Sequence, residues 1–437
     1  MKTNKSQKNI SNEWQLIPAS DVFEFVKTYS FSRDNLTTEI LSSGQVGCIH
    51  YGDIHSTYIG TIVDISKTKI PCINDKGFSP KEEELLKNGD LVMADASEDY
   101  EGVGVTVSIH GIGKNKVVGG LHTFVLRDKN NKTTEYYRQY IFRNKEIRNK
   151  LQKVANGVSV YGISKTTLSK MFLPIPAIPE QNRIVSVLET WDKSIENLNR
   201  KLEIKKQIKK GLMQDLLTGK KRLSGFKDKW LELTLGDIGE FRTSSVDKKN
   251  VQNEKDALLC NYMDVYKRKI IKNTDIFQKI TAKEGQFESS SLEVGDILFT
   301  PSSETPEDIG YSAVVQSTLS NLLFSYHLVR FRPKNNVLDI LYSSYCFNQV
   351  SFRRYLSRVS AGVTRFTLSK SAFENATIKI PSLKEQTAIA QILITVDSEI
   401  SELEKKLSII KEQKRYLLNN LITGTIRTPE NLLEKVK

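Results

Sequence analysis

The chain reads as a mixed α/β protein that is internally duplicated: two globular α/β domains, separated by two long helices that form an antiparallel coiled coil. Three observations carry that expectation. A gapless repeat at an offset of 205 matches residues 176–222 to 381–427 with 19 identities in 47 positions. Within the repeat, apolar residues alternate by three and four, the 3.5-residue period of a coiled-coil seam. The stretch before each copy mixes short β-branched runs with Gly, Asn and Pro turn signals, the pattern of strands in a globular α/β domain.

Composition accommodates this plan. The 437 residues leave room for two to four domains, and 39% hydrophobic, 26% charged and 8% aromatic residues exclude disorder throughout. No run approaches 18 uninterrupted apolar residues, so no membrane span is expected. The basic start, residues 1–8, is followed by no apolar segment, so no secretory signal is expected. Cys48, Cys72, Cys260 and Cys346 are scattered without a C-x-x-C pair and read as reduced core thiols. Lys and Arg number 64 against 51 Asp and Glu, a net charge of +13, with pI near 9.3. That balance points to an acidic partner, with nucleic acid leading.

The first element of each copy is an aromatic head: Trp14, Asp21 and Phe25 match Trp230, Asp237 and Phe241. Tyr51, Asp53 and Ile54 then match Tyr262, Asp264 and Val265, and Asp90, Ser97, Glu98 and Gly104 match Asp296, Ser303, Glu304 and Gly310. His122 with Arg127 matches His327 with Arg332. The offset falls from 216 to 205 along the way, so the fronts have diverged while the backs have kept their length. Strands are predicted over 60–64, 88–93, 103–109 and 295–300, and helices over 136–155 and 339–359. Ser97 and Ser303 are placed in polar loops after a strand. The resulting division is 1–174 for the first head, 175–223 for its helix, 224–379 for the second head, 380–428 for its helix and 429–437 for a tail.

The seam of the first helix is Trp191, Ile195, Leu198, Leu202, Leu212 and Leu216. That of the second is Val396, Ile400, Leu403, Leu407, Ile410, Leu417 and Leu421. Lys205, Lys209 and Lys414 interrupt it, polar residues able to fix register at some cost in stability. Pro179 and Pro381 stand just before the helical patterns, and Gly219 and Gly424 close them as C-caps. A duplicated chain tends to associate about a pseudo-two-fold axis, which makes the helices antiparallel and sets the heads at opposite ends. The seam from Trp191 to Leu216 is about 39 Å long at 1.5 Å per residue, close to one turn of B-DNA.

Chemistry-bearing motifs are missing. The chain has 11 prolines but no Pro-Pro pair, so the [DNS]-P-P-[FYW] loop of amino-group methyltransferases is absent. No G-x-x-x-x-G-K-[ST] phosphate cradle, H-E-x-x-H pair or P-D…(D/E)-x-K nuclease pattern occurs. His50 and His55 flank Asp53, but the second copy keeps only the acid, with Asn261 and Tyr266 beside Asp264, which argues against a metal site. The expectation is no catalytic residue, no metal and no cofactor in this chain.

The duplicated Ile-Pro-x-x-x-Glu-Gln element, at Ile175–Gln181 and Ile380–Gln386, leads into helices ending Leu-(Leu/Ile)-Thr-Gly-x-x-Arg. With the Gly-Val-(Ser/Thr) elements at Gly157 and Gly362 and the heading tryptophans, this pattern resembles the specificity subunit of type I restriction-modification systems. The resemblance spans residues 14–427. It implies two target-recognition domains, each reading half of a bipartite duplex DNA sequence, and a coiled coil that fixes their spacing. It further implies docking of two modification subunits, which carry S-adenosylmethionine and methylate adenine N6. Two restriction subunits, which use ATP and Mg2+, would join them, in the cytoplasm of a bacterium or archaeon. Because the two heads differ, the target is expected to be non-palindromic. An orphan DNA-binding protein of the same fold stays open, as does a system whose methylase and nuclease share one partner chain. Unit 1 departs from the pattern: the turn from Gly157 lacks the basic residue that Arg365 supplies in the second copy.

Candidate DNA contacts follow from residue chemistry. Basic residues cluster late in each head and can neutralise phosphates, among them Arg143, Arg148 and Lys165 in the first and Arg354, Arg358, Arg365 and Lys370 in the second. Tyr51 with His55, Tyr262 with Tyr266, and Ser97 and Ser303 sit at matching places and offer groove-reading donors and acceptors. For the basic residues the alternative is a solvated helix face. For the tyrosines it is half-buried packing, with Asp53 and Asp264 anchoring a turn.

Overall fold

The computed structural model describes residues 14–37, 44–58, 60, 62–75, 77–157, 159–334 and 337–432. The basic N-terminal stretch, Thr61, Val158 and the end of the tail lie outside the described residues. Two compact units divide the chain, Met1–Leu198 with Lys406–Lys437 and Asn199–Lys405. Each therefore contains one head, the start of its own long helix and the end of the other.

The same five-stranded sheet is built in each unit. In the first its order is Phe23–Val26, Thr123–Asp128, Leu91–Ala94, Thr106–His110 and Ile62–Asp64. In the second it is Gly239–Thr243, Val329–Pro333, Ile297–Phe299, Ser312–Val315 and Ile270–Ile271. All neighbours are antiparallel except the last pair, which is parallel. The matched Asp and Arg of the repeat clasp this sheet. Arg127 reaches both Asp90 oxygens at 3.1 and 2.7 Å, and Arg332 those of Asp296 at 2.7 and 2.8 Å. A second small sheet closes each head, four strands in unit 1 and three in unit 2. All four cysteines are buried thiols. Among the described residues no helix is long and apolar enough to cross a membrane.

Three sequence expectations need correction. The helix predicted over 136–155 is two, Glu135–Ile141 and Lys145–Val154, and that over 339–359 is Ile340–Cys346 and Val350–Val359. Phe142 and Phe347 turn into the core at the breaks. Asn144 then caps the next helix, accepting from the Glu146 and Ile147 N–H groups at 2.9 and 3.1 Å. Apolar periodicity alone does not register such a cap. Ser97 and Ser303 stand in short strands, Ala96–Ser97 and Ser302–Ser303, rather than in loops. Pro179 lies inside the first turn of its helix rather than before it, a position where no N–H partner is lost.

The long helices run Ile178–Leu217 and Leu383–Ile422. In unit 1 the segment 178–198 packs against 406–422 in the opposite sense, and in unit 2 the segment 199–217 packs against 383–405. The lysines that interrupt the seam all face acids of the other helix. Lys205 meets Glu399 at 2.6 Å, Lys209 meets Asp397 and Lys414 meets Asp192. The last two are the same pair in the two copies of the repeat. Each head adds a tyrosine to that acid, Tyr140 to Asp192 at 3.1 Å and Tyr345 to Asp397 at 2.8 Å. Lys209→Asp places two half-buried carboxylates together and is expected to destabilise unit 2 by about 2 to 3 kcal/mol. Adding Asp397→Lys should recover most of the loss in urea denaturation; no recovery would show that the pair does not set register.

The repeated Glu-Gln motif is a buried clasp. Glu180, on the first turn of its helix and almost fully buried, accepts from Arg427 Nε and Nη2 at 2.6 Å each and from Trp14 Nε1 at 2.9 Å. Glu385 does the same with Arg222 at 2.7 Å twice and Trp230 at 3.3 Å. Gln181 and Gln386 next to them satisfy the backbone of the incoming loop, at Lys132, Thr134 and Pro176 and at Val337, Asp339 and Pro381. Gly424 and Gly219 end the helices at φ of 72° and 70° and pass directly beneath the Trp14 and Trp230 rings, where a Cβ would meet the indole at 3.1 and 3.3 Å. The motif spacing therefore encodes how each head seizes a helix end.

Candidate nucleic-acid interface

In unit 2 the short helix Tyr262–Lys267 follows the strand Lys255–Cys260, whose last two residues are buried. Asn261 and Asp264 cap it, the Asn261 Oδ1 accepting from Tyr262 N–H at 2.8 Å and the Asp264 carboxylate from Asn261 N–H at 2.9 Å. Arg268 pairs with Asp264 at 2.6 Å, so that acid anchors the turn. The helix sets Tyr262 and Tyr266 in a stack, ring centroids 5.9 Å apart, along a cleft of about 440 Å3. Ser302, Ser303, His327, Lys248 and Arg365 also line it, as do Met263, Glu304 and Asp308. The Tyr262 hydroxyl donates to Ser302 O at 3.2 Å, and burial raises its pKa. Asp308 raises that of Tyr266. Burial lowers that of His327, which is thus neutral near pH 7 and offers a hydrogen-bonding ring rather than a charge.

Unit 1 builds the corresponding frame with other side chains. His50 caps the helix Tyr51–Ser56, its Nδ1 accepting from Gly52 N–H at 3.1 Å; burial lowers its pKa, in keeping with that acceptor role. Buried Asp53 is held by Arg33 at 2.8 Å. Tyr51 stands among three imidazoles, with ring centroids 4.6 Å to His50, 6.2 Å to His55 and 5.3 Å to His122. His122 occupies the left-handed region at φ of 52° and faces Asp95 at 3.3 Å. Among the described residues no group of three His, Cys, Asp or Glu side chains could hold a metal ion.

Tyr262, Tyr266, Ser303 and Arg365 are thus brought together in one cleft, and Tyr51 and His55 stand side by side in the corresponding frame of unit 1. Ser97 belongs to that counterpart frame but is buried, its hydroxyl 3.4 Å from Asp99. The remaining candidates lie elsewhere. Arg148 binds the carbonyls of Val103, at 2.8 Å, and Glu101, which staples its helix to the preceding loop. Exposed Arg143 lines a separate cleft of about 700 Å3 in unit 1 with Asp192, Lys411, Lys414 and Arg415. Arg354 lines the equivalent one in unit 2, about 570 Å3, with Lys206, Lys209 and Lys210. Lys165 lies over the Phe25 ring at 4.8 Å, Lys370 pairs with Glu374 at 3.4 Å, and Arg358 is exposed in the last turn of its helix.

Sequence reasoning left Lys248, Asn261, Asp308 and His327 out of the candidate set. His327 carried a usable signal, its repeat match to His122, as did Asn261 through its alignment with His50. Lys248 and Asp308 come from stretches where the two heads have diverged and carried none.

Comparison with known proteins agrees with this construction. The family model for the type I restriction modification DNA specificity domain matches twice, over residues 11–206 and 227–412. A Methanocaldococcus jannaschii protein assigned as the specificity subunit of the type I restriction enzyme MjaX is 22% identical over 441 residues, 96% of this chain and 95% of that one. A chain from a structure on complex assembly and conformational transition of the type I R-M system superposes with a TM-score of 0.62 at 15% identity, covering 95% of this chain and 99% of that one. The HsdS subunit from Thermoanaerobacter tengcongensis superposes at 0.53 and 15% identity, over 97% and 100%. With two tandem matches over most of its length, the chain belongs to the type I restriction-modification DNA specificity family, that of the non-catalytic specificity subunits.

Proposed function

We propose that this chain reads a bipartite, non-palindromic duplex DNA target, one half by each head. The observation that carries the reading is the duplicated frame of capped helix, Tyr and paired short strands, which bears unlike side chains in the two units and lines a cleft in unit 2. A constant frame with variable lining suits two readers of different sequence. The net charge of +13 supplies the phosphate attraction, so affinity falls steeply as salt rises.

The paired helices fix the spacing of the halves and dock two modification subunits and two restriction subunits. Exposed apolar residues on the helix backs support docking, Ile204 and Ile208 in unit 2 and Ile409 and Tyr416 in unit 1, since uncovered residues of this kind on a soluble helix mark contact surfaces. S-adenosylmethionine, ATP and Mg2+ belong to those partners, and this chain supplies sequence choice and geometry.

Sequencing the methylated motifs in cells that express the chain with its modification subunit tests the reading. The expected result is one motif with two unlike halves separated by a fixed gap. A motif with two identical inverted halves would overturn it.

A further inference from the structure

The two units carry the same turn against the paired short strands, beside the cleft in unit 2, and one exposed position on it differs in kind. In unit 2 Ala361 and Thr367 exchange both backbone hydrogen bonds, at 3.0 and 2.9 Å, closing the loop 362–366. In unit 1 Asn156 and Gly162 do so at 3.0 and 2.9 Å around the loop 157–161. The strands that follow pair in one register, Phe366 opposite Ser303 and Tyr161 opposite Ser97. Each loop opens on a glycine in the left-handed half of backbone space, Gly362 at φ of 148° and Gly157 at 146°. A Cβ there would lie 2.0 Å from Arg365 O and 1.8 Å from Val160 O. The carbonyl of residue 365, or 160, is therefore wedged against a glycine, and its side chain is presented at the same point of the same frame.

That side chain is Arg365 in unit 2 and Val160, 53% exposed, in unit 1. Other arginines of the unit 2 head are committed. Arg353 donates to Glu307 O at 2.6 Å and covers the Tyr311 ring at 3.9 Å; Arg268 is held by Asp264 and Arg332 by Asp296. Arg365 is exposed, makes no ion pair with a described residue, and gives a single long hydrogen bond, 3.3 Å to Ser302 Oγ. It keeps most of its five donors for a ligand. A guanidinium fork matches the O6 and N7 acceptors of guanine in the major groove, whereas valine offers no donor and suits the methyl group of thymine.

We infer that positions 365 and 160 determine base preference: Arg365 reads a guanine in the half-site of unit 2, and Val160 makes the matching position of unit 1 blind to guanine. This rests on the DNA-reading function proposed above.

The test selects from a randomised duplex library with the full-length chain in complex with its modification subunit, comparing wild type, Arg365→Val and Val160→Arg. Arg365→Val is expected to relax one G·C position in one half-site, losing discrimination of about 5- to 150-fold. The other half-site stays unchanged and reports a folded chain. Val160→Arg is expected to create a guanine preference in that other half-site. If Arg365→Val leaves the motif as it was, relaxes a position that is not G·C, or weakens all sequences evenly while lowering the salt slope by about one, the inference falls and the DNA-reading function stands. If the wild-type complex enriches no bipartite sequence, both fall.

Discussion

Replacing Glu385 by alanine is expected to destabilise unit 2 by about 3 to 5 kcal/mol. The carboxylate is fully buried and serves three donors, Arg222 Nε and Nη2 and Trp230 Nε1. Its removal leaves a cavity, a partly buried guanidinium without its acceptor and an indole N–H without a partner. Those groups join the end of the first long helix to the start of the second head, so their loss should also speed amide exchange in the ribbon of Leu231–Thr234 with Thr377–Ile380. Glu385→Gln keeps the shape and one acceptor and should lose less. Combining Glu385→Leu with Arg222→Leu should recover part of the stability, because an apolar pair leaves no charge stranded. Urea denaturation checks the series; an unchanged midpoint for Glu385→Ala would remove the clasp from the account.

Gly362→Ala is expected to abolish reading by unit 2 while leaving the chain folded. An alanine Cβ would meet Arg365 O at 2.0 Å in a backbone conformation that costs an L-residue about 1 to 3 kcal/mol. The turn must open, which displaces Arg365 and the strand paired with Ser302–Ser303. Affinity for the cognate duplex should fall about tenfold or more, the scale of one or more lost base contacts, with discrimination lost in one half-site only. Gly157→Ala should do the same to the other half-site. Equilibrium binding to duplexes mutated in each half measures both effects; a variant that kept full discrimination would show that the turn does not read DNA.

Much of the scaffold is legible in the sequence. The repeat located both long helices, and the lysines at 205, 209 and 414 stood out as breaks in an apolar seam. Their partners did not, because Glu399, Asp397 and Asp192 come from the other helix and local periodicity is silent about register. The helix breaks at Asn144 and Gln349 escape the periodicity because each is a single polar residue inside an otherwise helical pattern, and only Asn144 caps the next helix with its side chain. The candidate site was half legible. Matching Tyr51 with Tyr262 points to the two capped helices and so to the cleft of unit 2, but charge clustering alone treats Arg148 and Arg365 alike. One is tied to backbone carbonyls and the other stands free of acids.

By itself, then, the sequence determined the duplication, the two long helices with their seam, the mixed α/β heads and the family. These are signals of repetition and period, carried by residues close along the chain. Only the tertiary structure decided what the repeated motif does, since Glu180, Arg427 and Trp14 meet from distant parts of the chain. It also decided which basic residues keep donors for a ligand. A guanidinium is committed or available according to which oxygens surround it in space, and residue type does not record that.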